Sequence, residues 1–536
     1  MDCSGAQSNK DPQITIDDLP NEVFERIIAH LNVEDCKVAS LVNYRWLQFS
    51  FSRIALGKVQ LEINCAQRSP HDYWNVLEKS SRSYRNLVLK FADDDEGFLL
   101  RVLDKFQHSL ERVSIEQDAE ARLLHTEISS TYFTRLMQQL TNVRQLTIKT
   151  IIELSDTVDG AQLPRLERLE AICLYTHCLE GDWIDWTQIC PNVTCVGVPL
   201  QDGRNGFPHL IQHFSNQVAN LSIDARFLER DSLDFIVQED FPKLRKFRLL
   251  YPINSPSTGS LIKSFIGHCP HLTEISLFSN TISQETLETL AEHCPQLSVV
   301  SLDTNEAPPT IFSILSKLPR LRQLILHKLT VEPSMVTSSS GCFPSLRQLT
   351  CLSIRINCPE AFFMQLHKKM PRLTVLELLD RFRFGISNFN QNGVVAALCS
   401  NMPNVQRLAL VDWAILDLSV LEKLNLLENL AELRLKCIGL NPNKTLPRCA
   451  SLRKLVLDVD TLKPTDVIPP VSRPALAEII SNGFPELTSL ELRRQLLDRT
   501  KASEQEIATL QSTLPGCVFY RKTRLQMADK DYTALF

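Results

Sequence analysis

Cysteine is the residue type best equipped to do chemistry in this chain of 536 residues, where sixteen occur alongside twelve histidines. A thiol can act as a nucleophile or a zinc ligand, but each role needs a setting. Structural zinc sites draw on Cys-x-x-Cys pairs, and the sequence has none. A nucleophilic thiol needs an activating base or cation nearby, and no such arrangement stands out. Cysteines instead precede proline next to repeat starts, at Cys190-Pro191, Cys269-Pro270 and Cys294-Pro295. They read as buried, inert thiols, because free cysteine packs as a small hydrophobe. Other catalytic signatures are missing too: no G-x-S-x-G, Walker loop, H-E-x-x-H or dinucleotide fingerprint occurs. Only 16 glycines are present, which argues against a Gly-rich phosphate cradle. The expectation is a non-catalytic chain with no cofactor and no metal. The run Asp93-Asp94-Asp95-Glu96 lacks the spacing of a calcium loop and reads as the acidic start of a helix.

The elements that carry these residues are set by apolar spacing. The pattern apolar-x-x-apolar-x-apolar recurs along nearly the whole chain, often two residues after a proline. Clear copies start at Leu244, Leu272, Leu297, Leu321, Leu346, Leu373, Val405, Leu430, Leu452 and Leu487. Weaker ones start at Leu56, Tyr84, Leu110, Val143, Leu166, Val193, Val218 and Leu514. The mean period is about 27 residues, inside the range of leucine-rich repeats. Each x-x-apolar-x-apolar segment alternates with period two, as a half-buried strand does. Between Leu277 and Leu297 a helical stripe follows, Ile282, Thr286, Leu287, Leu290 and Ala291, before proline stops the helix. One such unit cannot cover its apolar face alone, whereas stacked units can.

The Cys-Pro pairs make these units resemble the cysteine-containing type of leucine-rich repeat. That resemblance implies an α/β solenoid over residues 56–520, a horseshoe with parallel strands on the concave side and helices on the convex side. Residues 1–13 are expected to be disordered, and residues 521–536 to form a tail outside the repeat pattern.

Residues 14–55 follow another rule. Pro20 is placed to start a helix. Val23, Ile27 and Leu31, with Phe24 and Ile28, form a wide apolar stripe. Val38, Leu41, Val42 and Trp46 continue the periodicity, so the segment reads as three short helices around a small core. A module this small exposes apolar surface unless a partner covers it. Leu19, Pro20, Glu22, Ile27, Leu31, Asp35, Val38, Val42 and Trp46 together resemble the F-box. Asn43 departs from it, since the family often has cysteine there.

An F-box followed by leucine-rich repeats is similar in organisation to substrate receptors of SCF-type ubiquitin ligases. The resemblance implies docking on a Skp-type adaptor, and through it on a cullin and a RING protein, through Leu19, Pro20, Ile27, Leu31, Val38 and Trp46. For Val38, Val42 and Trp46 a purely core role is the alternative. The repeats would hold a protein substrate for ubiquitination and proteasomal degradation. A non-degradative interaction scaffold is the other reading.

The net charge of −5, from 57 basic and 62 acidic residues, lacks the basic excess of nucleic-acid binders. No signal-like N-terminal run and no stretch of about 18 apolar residues occurs, so no membrane partner is expected. The cysteines are then expected to be reduced, in the cytoplasm, the nucleus or both, and Asn192-Val193-Thr194 is a chance sequon.

Concave positions expected to meet a substrate are Phe278, Ile325, His327, Leu379, Arg407, Arg434, Lys436 and Arg493. Phe278, Ile325 and Leu379, with Val411, would form an apolar band. Arg407, Arg434, Lys436, Lys454 and Arg493 would form a basic strip able to accept an acidic or phosphorylated segment. The plainer reading is a solvated face with paired charges, because Glu432 and Glu491 lie among them. Long units place extra residues in loops, notably Arg381-Phe382-Arg383-Phe384-Gly385 and the stretch 463–474.

Overall fold

A computed structural model describes residues 16–31, 33–65, 68–91, 96–117, 127–128, 130–149, 151–152, 163–174, 185–199, 208–224, 239–253, 256–279, 281–331, 346–356, 369–379, 391–416, 422–440, 448–459, 480, 483–493, 511–514 and 517–522. The expected disordered start (1–13), both loops singled out by sequence and most of the tail (from 523) lie outside them. The chain divides into two compact units, residues 1–193 with 204–213, and residues 194–203 with 214–536.

The first unit opens with short helices: α1 (Asn21–His30), α2 (Val33–Ala39), α3 (Tyr44–Ser50) and a single further turn, α4 (Arg53–Leu56). Five strands follow, Gln60–Asn64, Asn86–Phe91, Arg112–Gln117, Gln145–Lys149 and Ala171–Leu174, each parallel to the next. The second unit is a run of parallel strands from Cys195–Pro199 to Val518–Lys522, paired in chain order. Both are built on the α/β leucine-rich repeat plan.

Register explains the leucines. Leu249, Leu277, Leu302 and Leu326 stand opposite one another on successive strands, all nearly inaccessible to water. The helix Gln284–His293, between the strands of Leu277 and Leu302, buries Leu287 and Leu290 completely. Ser283 caps it, its Oγ accepting from the Thr286 N–H at 3.1 Å. The helical stripe expected after Leu277 is therefore present.

Neighbouring repeats are also stitched by polar groups at the strand entrances. The Thr273 hydroxyl donates to the Arg245 carbonyl at 3.0 Å, and Ser298 to the Thr273 carbonyl at 3.1 Å. Thr350 and Thr488 repeat the bond to Arg322 and Arg453. Each acceptor carbonyl also takes backbone N–H groups of the next repeat, so these otherwise orphaned groups are satisfied.

The ladder moves four of the expected repeat starts. Leu61 and Ile63 pair with Leu87 and Leu89, two residues later than a start at Leu56, which belongs to α4. Ile172 pairs with Leu146, so that repeat starts at Leu169 and not Leu166. Leu352 pairs with Leu324, which replaces Leu346 by Leu349. Phe519 pairs with Leu490, two residues beyond the register expected from Leu514.

The Cys-Pro thiols lie inside, as expected. Cys190, Cys269 and Cys294 have no exposed surface, and the Cys269 thiol donates to the Phe265 carbonyl at 3.3 Å. Burial pushes the Cys190 and Cys294 thiols up to about 12. Cys269 is raised by burial, with Cys294 and Asp240 adding to it. At neutral pH these groups stay protonated and are poor nucleophiles. In the folded protein all three should resist maleimide at pH 7.5 for hours and react in denaturant, as read by peptide mass spectrometry. Prompt native labelling would contradict this placement.

Candidate protein-interaction surfaces

The first surface belongs to the N-terminal helices. Phe24 and Ile28 of α1 are fully buried with Cys36, Ala39 and Ala55, and Leu31, Trp46 and Phe49 pack against that core. Trp46 meets Phe24 edge to face at 4.7 Å, and Phe49 lies 4.9 Å from it. Asn43 caps α3, its side-chain oxygen accepting from the Trp46 N–H at 3.0 Å. The departure from the family pattern at this position thus has a structural role, since asparagine is among the best N-caps.

Two cations hold the ends of α1. Arg45 donates to the Leu19 carbonyl at 2.5 Å and to Asn21 Oδ1 at 2.9 Å, while its guanidinium sits 5.0 Å from the Phe24 ring. Lys58 donates to the Leu31 carbonyl at 2.9 Å and also to that of Ala29. This satisfies last-turn carbonyls that a helix leaves open.

The residues named from sequence for the adaptor separate here. Leu31 and Trp46 pack on the module core, and Ile27 is half-buried. Leu19 is half-buried and Pro20 exposed. Val38 is 67% exposed, so it is no core residue. Around it lie Leu41 at 84%, Val42 at 60% and Tyr44 at 72% exposed. Single exposed apolar residues are ordinary, but several together mark an interaction surface. Leu41, Val42 and Tyr44 are absent from the residues singled out for docking by sequence. Apolar periodicity placed Leu41 on a core stripe, yet α2 ends at Ala39 and the stripe is broken there.

The second surface is the sheet face of the second unit that points away from the helices. Phe278 and Ile325 are half-buried and His327 is exposed. Leu379, Lys436 and Arg493 hold strand positions beside Val411, Asp458 and Lys522, and their side chains lie outside the described ones. Arg407 is exposed and sits 3.5 Å from Glu432. Glu432 also accepts from Lys454 at 2.8 Å, so this part of the strip is a paired ladder. In the first unit Lys149 and Glu116 are paired likewise at 2.7 Å. The pair at the exposed Arg407 contributes little to stability. Arg434 differs: its strand neighbours are Ala409 and Val456. Its Nε is buried and has no hydrogen-bond partner.

No family model and no curated protein matches this chain. Among solved structures it is similar to an internalin from Listeria monocytogenes, with 14% identity over 72% of this chain and 93% of that one, at a TM-score of 0.32. It is also similar to a leucine-rich repeat protein of Leptospira interrogans, with 15% identity over 82% of this chain and 90% of that one, at a TM-score of 0.33. Likeness at this level identifies neither family nor function, and the repeat architecture rests on the strand register described above.

Proposed function

We propose that the chain is a non-catalytic substrate receptor of an SCF-type ubiquitin ligase. In this reading α1–α4 act as an F-box that docks on a Skp-type adaptor, and the repeat sheet holds a protein substrate. The observation that supports it most is the exposed apolar cluster Val38, Leu41, Val42 and Tyr44, beside a Leu19-Pro20 segment tied down by Arg45. Such a cluster on so small a module calls for a partner helix surface. A receptor of this kind breaks and makes no bonds. It raises the effective concentration of substrate lysines near the charged conjugating enzyme. Its work is done in the cytoplasm or nucleus, where the ligase scaffold is found.

The test is co-purification. The full chain should bring down the Skp-type adaptor and a cullin, and Leu19→Ala combined with Pro20→Ala should reduce the yield at least about tenfold, as two truncated interface anchors would. A wild-type chain that captures no adaptor would leave the second reading, a non-degradative scaffold that uses the repeats alone.

A further inference from the structure

We propose that Arg434 is the anchor of a docking site for a peptide carrying a carboxylate side chain, laid across the sheet face of the second unit. This deepens the receptor reading by naming the chemistry of what the sheet holds, and it rests on that reading.

The argument begins with the strand Glu432–Leu440. Leu433 and Leu435 point into the core, which turns Arg434 to the opposite face. A guanidinium carries five donors and is always charged. A partly buried one normally finds an acceptor, because leaving a buried polar group unsatisfied costs free energy. Here the buried Nε has none, and among the described residues no side chain forms an ion pair with Arg434. Glu432, two residues earlier on the same strand, is already engaged by Arg407 and Lys454. On either side Ala409 and Val456 contribute no polar atom.

Further along the same row stand Glu377 and Glu491. Each is two strands away, roughly 10 Å at the usual strand spacing. Glu377 is hydrogen-bonded by the Ser353 hydroxyl at 3.2 Å. Among the described residues, this row therefore holds one cation without an ion-pair partner and a carboxylate two strands away on either side. That charge pattern fits a single carboxylate, bound by the guanidinium fork. A phosphate with nearly two charges would meet repulsion from both ends of the row.

The full chain would be titrated by fluorescence anisotropy against four capped peptide libraries with random flanks. Their fixed central residue would be glutamate, aspartate, glutamine or phosphoserine. The glutamate or aspartate library should bind at least about tenfold tighter than glutamine and tighter than phosphoserine, as a charge-assisted bond requires. Arg434→Met should erase that preference, while Arg434→Lys retains part of it and Arg168→Met, an exposed control in the first unit, changes nothing. Equal binding of the glutamine library, preference for phosphoserine, or an unaltered preference in Arg434→Met would each overturn the proposal. Adaptor capture is read in parallel. Its absence alongside an intact, Arg434-dependent acidic preference would sink the ligase reading and leave this one standing.

Discussion

Replacing Leu41 and Val42 together with aspartate should cut affinity for the adaptor at least about a hundredfold, since buried interface anchors each carry on the order of 2 kcal/mol, while leaving thermal stability unchanged. Both side chains are mostly exposed in the isolated chain, so their loss removes no core contact. Substitutions of that kind usually shift stability by less than about 0.5 kcal/mol. At a closed interface the new carboxylates would be desolvated without partners, which is costly. Calorimetric titration with purified adaptor and a melting curve of the same sample give the two readouts. Lost binding with an unchanged melt supports a docking surface. A matching fall in the melt would make the cluster structural, and intact binding would move the adaptor elsewhere.

The complementary experiment is Phe24→Ala. Phe24 is fully buried and is the ring on which Trp46, Phe49 and Arg45 converge. Truncating a buried phenylalanine costs about 3–5 kcal/mol. Against a core of only a few residues, that is comparable to the whole stability of a small domain. The expected outcome is local: amides of α1–α3 lose protection in hydrogen exchange. Repeat strands distant from the module keep theirs, because a repeat array depends chiefly on nearest neighbours. Adaptor binding should vanish as well, but now with unfolding, unlike the Leu41/Val42 pair. Global loss of protection would mean that the module and the repeats fold as one unit.

Much of the fold was legible because each repeat states its pattern in the same words. Leu272, Ile275 and Leu277 occupy the positions their spacing predicts, and so do Leu297, Val300 and Leu302. Where the pattern failed, it was degenerate. Leu166-Leu169-Ala171 and Leu169-Ile172-Leu174 both satisfy the same template, and so do Leu346-Leu349-Cys351 and Leu349-Leu352-Ile354. A single repeat cannot choose between the two. The choice is made by the neighbouring strand, which must align Ile172 with Leu146 and Leu352 with Leu324. The interaction surfaces were less legible. Helical period alone ran through Val38, Leu41 and Val42 as a core stripe, whereas Val38 lies exposed within α2 and Leu41 and Val42 follow its end. On the sheet face, composition spoke of a basic strip, whereas distances separate the paired Arg407 and Lys454 from Arg434.

The hydroxyl-to-carbonyl stitching at the strand entrances makes the array modular in a strict sense. Thr273 bonds back to Arg245, and Ser298 bonds back to Thr273. Excising residues 273–297 would bring Ser298 up to the carbonyl that Thr273 had occupied, with the strand that follows in phase. The same bond reaches back 28 residues from Thr273, 25 from Ser298 and 35 from Thr488, so differences in repeat length are taken up between the strands while the leucine row keeps its register. Such a chain can gain or lose whole repeats during evolution, or by design, and each change slides everything beyond it along the sheet without altering its local contacts.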